Sequence, residues 1–130
     1  MNKWQENVRE FHLKFGPLVQ ETPKIPDRKT KFLRRNLIIE EVFEELLPAI
    51  KDDDMEGVAD AIADSIYVLL GTAVSYGIDI EPIWDAVQEA NMNKTGHLRD
   101  DGKVTKPEGW KPPDILKLLK QQGYNGYKVL

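Results

Sequence analysis

Cysteine is absent from all 130 residues, which excludes disulfides, thiolate nucleophiles and zinc–sulfur sites. That absence fits a reducing compartment, so a cytoplasmic location is expected. Strand signals are nearly missing as well, and the class reads as all-α. There is no basic excess: 18 Lys and Arg stand against 22 Asp and Glu, giving a formal charge of -4 and a pI near 5.2. A nucleic-acid polymer is therefore not an expected partner. The opening MNKWQENVREFHLKF interleaves charged and apolar residues, so it lacks a signal-peptide core. The longest uncharged stretch, Ser65 to Ile78, is too short and too polar at its ends to cross a bilayer, and no membrane partner is expected. Internal repeats and low-complexity tracts are missing too.

What is present reads as a single domain over residues 1–130, with apolar and charged content in the ordinary globular range. Trp4, Val8, Phe11 and Phe15 recur at helical spacing, which predicts a first helix from Lys3 to Phe15 closed by Gly16 and Pro17. Pro17, Pro23 and Pro26 punctuate the loop that follows, and Asp27 is placed to cap a long second helix reaching Lys51. Pro48 interrupts that helix, so a kink or an early end near Leu47 is expected. Asp54 caps a third helix over Met55 to Tyr76, stopped by Gly77; Asp79 caps a fourth that runs to Met92. Glycines and prolines make 93–113 a long loop with a candidate hairpin at Asp101-Gly102, before a short helix from Ile115 to Gln122 and a tail at 123–130. The architecture expected is four main helices in a bundle with a short fifth C-terminal helix. The second helix is apolar on most sides, which predicts completion of the bundle by self-association, as a homodimer or homotetramer.

The chemistry lies in the carboxylates. Between Gly57 and Ile78 the only charges are Asp60 and Asp64, one helical turn apart in the apolar run GVADAIADSIYVLLGTAVSYGI. Burying them without a partner is costly. A second acidic set, Glu40, Glu41 and Glu44, falls at about 0°, 100° and 40° on the preceding helix, in the same arc as Leu33, Leu37 and Leu47. Two helices presenting acids toward each other form an oxygen-rich site for a hard cation such as magnesium, a common handler of phosphates. The competing reading is a structural ion-pair network in which Arg34 and Arg35 neutralise the acids. Glu45 and Asp52 to Asp54 read as a solvated face.

These residues resemble the all-α nucleoside-triphosphate pyrophosphohydrolases, the MazG-like and phosphoribosyl-ATP-pyrophosphohydrolase-like group. EExxE is matched by Glu40, Glu41 and Glu44, and Asp64-Ser65-Ile66-Tyr67 resembles the end of the second half-motif, ExxD. Asp60 departs from that pattern, four residues before Asp64 instead of three and Asp instead of Glu. Gly57 stands where similar proteins can carry a Glu. VREFHLKFG, VQEANMNK (87–94) and GKVTKPEGWKPPDI extend the resemblance over most of the chain to about Ile115.

The resemblance implies cleavage between the α and β phosphates of a nucleoside triphosphate, releasing the monophosphate and pyrophosphate. It implies magnesium, with manganese as a substitute, on Glu41, Glu44, Asp60 and Asp64. Glu40 and Glu41 are the candidate catalytic residues, Glu40 either as a further ligand or as the base that orients water. For the substrate it points to Lys94 for charge, Asn91 for hydrogen bonds, Lys103 and Lys106 in the loop, and Trp110 stacked on a base. Phe11, His12 and Phe15 of the first helix are candidates for the base pocket. Plainer roles compete at each position: helix capping for Asn91 and Lys94, solvation for the loop lysines, packing for Trp110 and His12. Trp4, Tyr67 and Trp84 read as packing residues. Two other functions are open: a non-catalytic helical interaction protein, and a phosphoribosyl-ATP pyrophosphohydrolase of histidine biosynthesis.

Overall fold

The structure, a computed structural model, describes residues 1–126. Residues 127–130 of the expected tail lie outside the described residues. The described elements are helical throughout: α1 (Lys3–Phe15), α2 (Arg28–Ile38), a π-helical segment (Ile39–Leu46), α3 (Leu47–Lys51), α4 (Met55–Tyr76), α5 (Ile80–Met92) and α6 (Ile115–Gln121). An isolated antiparallel bridge pairs Leu98 with Val104. The all-α reading holds.

Local sequence accounts for the boundaries. Side-chain oxygens of Asn2, Asp27, Asp54, Asp79 and Asp114 accept backbone N–H bonds from the first turns of α1, α2, α4, α5 and α6. Gly77 ends α4 at φ 71°, a left-handed conformation, and a Cβ there would also collide with the Thr22 carbonyl. The helix expected to falter near Leu47 continues to Lys51. Leu47 N–H donates to the Val42 carbonyl five residues back, so the chain enters Pro48 from a wide π turn. Pro48 has no N–H to lose, and the wider turn relieves the clash of its ring with the carbonyl of the previous turn. The hairpin expected at Asp101-Gly102 is present as a turn, with Arg99 N–H on the Lys103 carbonyl at 2.7 Å and Gly102 N–H on the Arg99 carbonyl at 2.8 Å.

α4 is the centre of the packing, with α1 on one flank and α2, the π segment and α3 on another. Its buried positions are small (Ala61, Ser65, Gly71, Ala73, Val74 and Ser75), which lets neighbouring helices approach closely. Length and composition alone would let α4 cross a membrane, but here it packs within the bundle. The loop after α1 is laid over its C-terminal end by Ser75 Oγ donating to the Leu18 carbonyl at 2.8 Å and Gln20 Nε2 to the Ser75 carbonyl at 2.8 Å. Gln5 and Gln122 then tie down the start of α5: Ile80 N–H donates to Gln5 Oε1 at 3.0 Å and Asp79 N–H to Gln122 Oε1 at 2.9 Å.

Arg34 is buried at 4% exposure and crosses from α2 to α4, donating to the Val68 carbonyl at 3.0 Å and to Thr72 Oγ1 at 3.3 Å. His12 lies beside it, 3% exposed, its ring Nδ1 bonded to the Leu18 carbonyl at 3.1 Å. Gly71 supplies the space, since a Cβ there would overlap the Arg34 guanidinium and stand 3.0 Å from His12 Nε2. Gly71→Ala should therefore destabilise the protein by about 1–3 kcal/mol, although alanine is the better helix former. Thermal unfolding of the variant checks this. Burial, and secondarily Arg34, lowers the proton affinity of His12 below its ordinary pKa of 6.5. The unfolded chain then takes up the proton first, so stability is full above 6.5 and declines as pH falls through that value toward the folded-state pKa. Urea titrations between about pH 7.5 and 5 should show this decline, and His12→Gln should flatten it.

Candidate metal and active site

The acidic helices meet around one cavity of about 430 Å³. On one wall Glu41, Glu45 and Ala49 form a row at intervals of four residues, and Glu44, Pro48 and Asp52 form a second. Residues four apart share one face of the helix, so both rows are presented on the same side. Gly57, Asp60, Ala61 and Asp64 of α4 form the facing wall, with Asp54 at its edge. Among the described residues, seven carboxylates line the space and no basic side chain does.

The neutralising network weighed above is not formed. Arg34 is buried against α4 backbone and Thr72, and Arg35 reaches Asn36 Oδ1 at 3.4 Å. The ion pairs among the described residues join Met1 to Asp79 and Glu81, Arg9 to Glu21, and Arg99 to Asp101. None reaches the cavity. Asp60 and Asp64 are exposed, contrary to the burial that their apolar surroundings imply, because this stripe of α4 faces the cavity and not a helix. Glu41 is half-buried, and its proton affinity is raised by desolvation first and then by the charges of Asp64, Glu40, Glu45 and Asp60.

Ligand convergence is looser than the motif implies. Among the described residues, no three His, Cys, Asp or Glu side chains are close enough together to hold an ion as they are placed. Mutual repulsion of unscreened carboxylates keeps such groups apart. The donor set itself, all oxygen with neither thiol nor imidazole, has the chemistry of a hard-cation site. Gly57 is not an empty ligand seat: a Cβ there would overlap the Asp54 carboxylate and come within 3.3 Å of Ala49 Cβ. Its bareness lets α3 close on α4 and shapes the floor of the cavity.

The remaining candidates lie elsewhere. Glu40 does not line the cavity, although its charge reaches Glu41. Glu45, Asp52 and Asp54 do line it, instead of forming a purely solvated face, and Asp54 also caps α4 through Gly57 N–H at 3.0 Å. The spacing of four from Glu41 to Glu45 and Ala49, which keeps them on one helix face, was the available signal, outweighed by reading Glu45 as a solvated acid. His12 is buried under Arg34 and unavailable to a base pocket. Phe11 and Phe15 are largely exposed, Phe11 set edge-on to Tyr67 at 5.7 Å. Asn91 and Lys103 are exposed. Lys94 and Lys106 lie over the ring of Trp110, whose indole N–H donates to the Ala90 carbonyl at 2.7 Å. None of these residues lines the acidic cavity.

An all-α bundle with carboxylates facing across two central helices is the frame of a pyrophosphohydrolase. Residues 8–91 match the family model described as phosphoribosyl-ATP pyrophosphohydrolase, and the chain belongs to that family. It is accordingly a hydrolase acting on phosphoanhydride bonds, within the MazG-like all-α superfamily, and its substrate is a nucleotide. No curated protein matches the chain significantly.

Since Glu41 holds its proton more tightly when folded, the stability of the metal-free protein should fall as pH rises through and above the ordinary carboxyl value of 4.5. Glu41→Gln should then raise the melting temperature without divalent ions and reduce the further rise on adding magnesium. Differential scanning calorimetry with and without magnesium reads both.

Proposed function

We propose that this protein is a magnesium-dependent nucleoside triphosphate pyrophosphohydrolase, acting on deoxynucleotides or ribonucleotides in nucleotide-pool housekeeping in the cytoplasm. The observation that supports this most is the facing of Glu41 and Asp64 across a carboxylate-lined cavity with no cation of the protein's own. Glu41, Glu44, Asp60 and Asp64 would hold the magnesium, or manganese in its place. When bound, the ion supplies charge neutralisation for the phosphate oxygens. Glu40, next to Glu41 and outside the cavity lining, would orient the attacking water and take its proton or act as a further ligand, and water adds across the α–β anhydride to leave the monophosphate and pyrophosphate. Lys94 and Lys106 offer positive charge to the phosphates.

Self-association belongs to this reading. Phe43, Leu47 and Ile50 form an exposed apolar stripe on the long helix, and Met55 and Trp84 are more than half exposed. Exposed apolar residues gathered in this way mark an interaction surface, and a second copy would cover it. Residues 1–130 would then act as one domain within a homodimer or homotetramer.

The family description favours a second reading, hydrolysis of phosphoribosyl-ATP, which fits the same carboxylates no worse. A pyrophosphate-release assay over all ribo- and deoxyribonucleoside triphosphates and phosphoribosyl-ATP, with magnesium, separates the two. The expected outcome is turnover of one or more simple triphosphates; turnover of phosphoribosyl-ATP alone would replace this reading with the second. Asp64→Asn should lower the rate by about 100-fold or more while the fold persists, the loss of about 3 kcal/mol of transition-state stabilisation. No pyrophosphate from any substrate would leave an interaction protein with a structural acidic cluster.

A further inference from the structure

The segment after α5 is built more firmly than its glycine and proline content implies. Thr95 and Thr105 clasp each other: Thr95 N–H donates to the Thr105 carbonyl at 3.0 Å, Thr95 Oγ1 bonds the same carbonyl at 2.9 Å, and the two hydroxyls meet at 2.5 Å. Their sequence neighbours Lys94 and Lys106 thereby emerge side by side at the base of the turn. Both ammonium groups lie over one ring, Lys106 Nζ at 4.8 Å and Lys94 Nζ at 5.5 Å from the centroid of Trp110. The ring is secured independently. Its indole N–H is bonded to the Ala90 carbonyl near the end of α5, and its backbone N–H to the Pro107 carbonyl at 3.1 Å.

Two like charges gathered at one ring repel each other, and the attraction of the ring is modest. Among the described residues neither lysine forms an ion pair with a carboxylate, in a chain where acids outnumber bases. An arrangement that concentrates positive charge and withholds a counter-ion is preorganised for an anion.

We infer that Lys94 and Lys106 form a polyphosphate-binding site and that Trp110 is its positioning residue, gathering the two ammonium groups for the phosphates of the nucleotide. The role in the reaction rests on the hydrolytic reading above; the anion site itself does not. Without its ring the two side chains are free to separate, so a neutral residue controls an electrostatic affinity.

Isothermal titration with inorganic tripolyphosphate tests the site in the full chain. Lys94→Ala and Lys106→Ala should each weaken binding about tenfold, and Trp110→Leu should weaken it by about as much although it removes no charge. Trp110→Phe retains a ring and should recover most of the affinity, a rescue that general loss of structure would not give. In turnover assays Trp110→Leu should raise KM more than it lowers kcat. Wild-type affinity in a folded Trp110→Leu protein, or equal losses in folded Phe and Leu variants, would overturn the positioning role. Unchanged binding in the lysine variants would overturn the site. Lysine-dependent tripolyphosphate binding in a protein that releases no pyrophosphate would uphold the site and remove only the hydrolytic reading.

Discussion

The position of the acidic walls depends on Arg34 crossing into the space left by Gly71. This guanidinium is buried without a carboxylate, bonded to the Val68 carbonyl and the Thr72 hydroxyl of α4. Burying a charge in this way is unfavourable unless its donors are satisfied, so the contact tolerates little sliding of α2 along α4. Val68 lies one turn beyond Asp64, and Arg34 lies two turns before Glu41. The crossing therefore sets the distance between the two sets of acids. His12 closes the same point from α1, its proton affinity lowered by burial first and then by the neighbouring guanidinium.

From this crossing outward the molecule separates its charges. Negative groups collect at the N-terminal half of α4 and along the π segment, with no basic side chain among the described residues lining the cavity. Lys94 and Lys106 collect after α5, whose first turn is anchored through Gln5 and Gln122 and whose packing partner is α6. Phosphate hydrolysis asks a protein for charge neutralisation and positioning more than for covalent chemistry. On the proposed reading, acids and two lysines without ion-pair partners among the described residues would meet a cation and an anion respectively, which matches that demand.

Much of the architecture was legible because its signals are local. Aspartates at 27, 54, 79 and 114 cap the helices they precede, and Gly77 ends α4 where a left-handed residue is needed. The facing of Glu41 and Glu44 with Asp60 and Asp64 followed from their spacing. What escaped was non-local or departed from ideal geometry. The π turns cannot be read from residue types, and Glu45 and Asp52 were left outside the site because a run of acids reads as a solvated face. The exposure of Asp60 and Asp64 depends on which side of α4 is left uncovered, and that is a property of packing. The pairing of Arg34 with backbone in preference to acids depends on Gly71, 37 positions away.

The π segment also bears on how this helix tolerates change in length. A π turn accommodates an additional residue relative to regular α-helical bonding. Loss of one residue from 39–46 would therefore let this stretch become regular α-helix while the helix on either side stays nearly in phase. The same loss from α2, which has no such slack, would rotate everything beyond it by about 100°, and either Arg34 would leave its seat or the carboxylate rows would turn away from α4. Tolerance of a single deletion should thus be concentrated in the π turn, whose slack lets helix length vary without moving the scaffold relative to the chemistry.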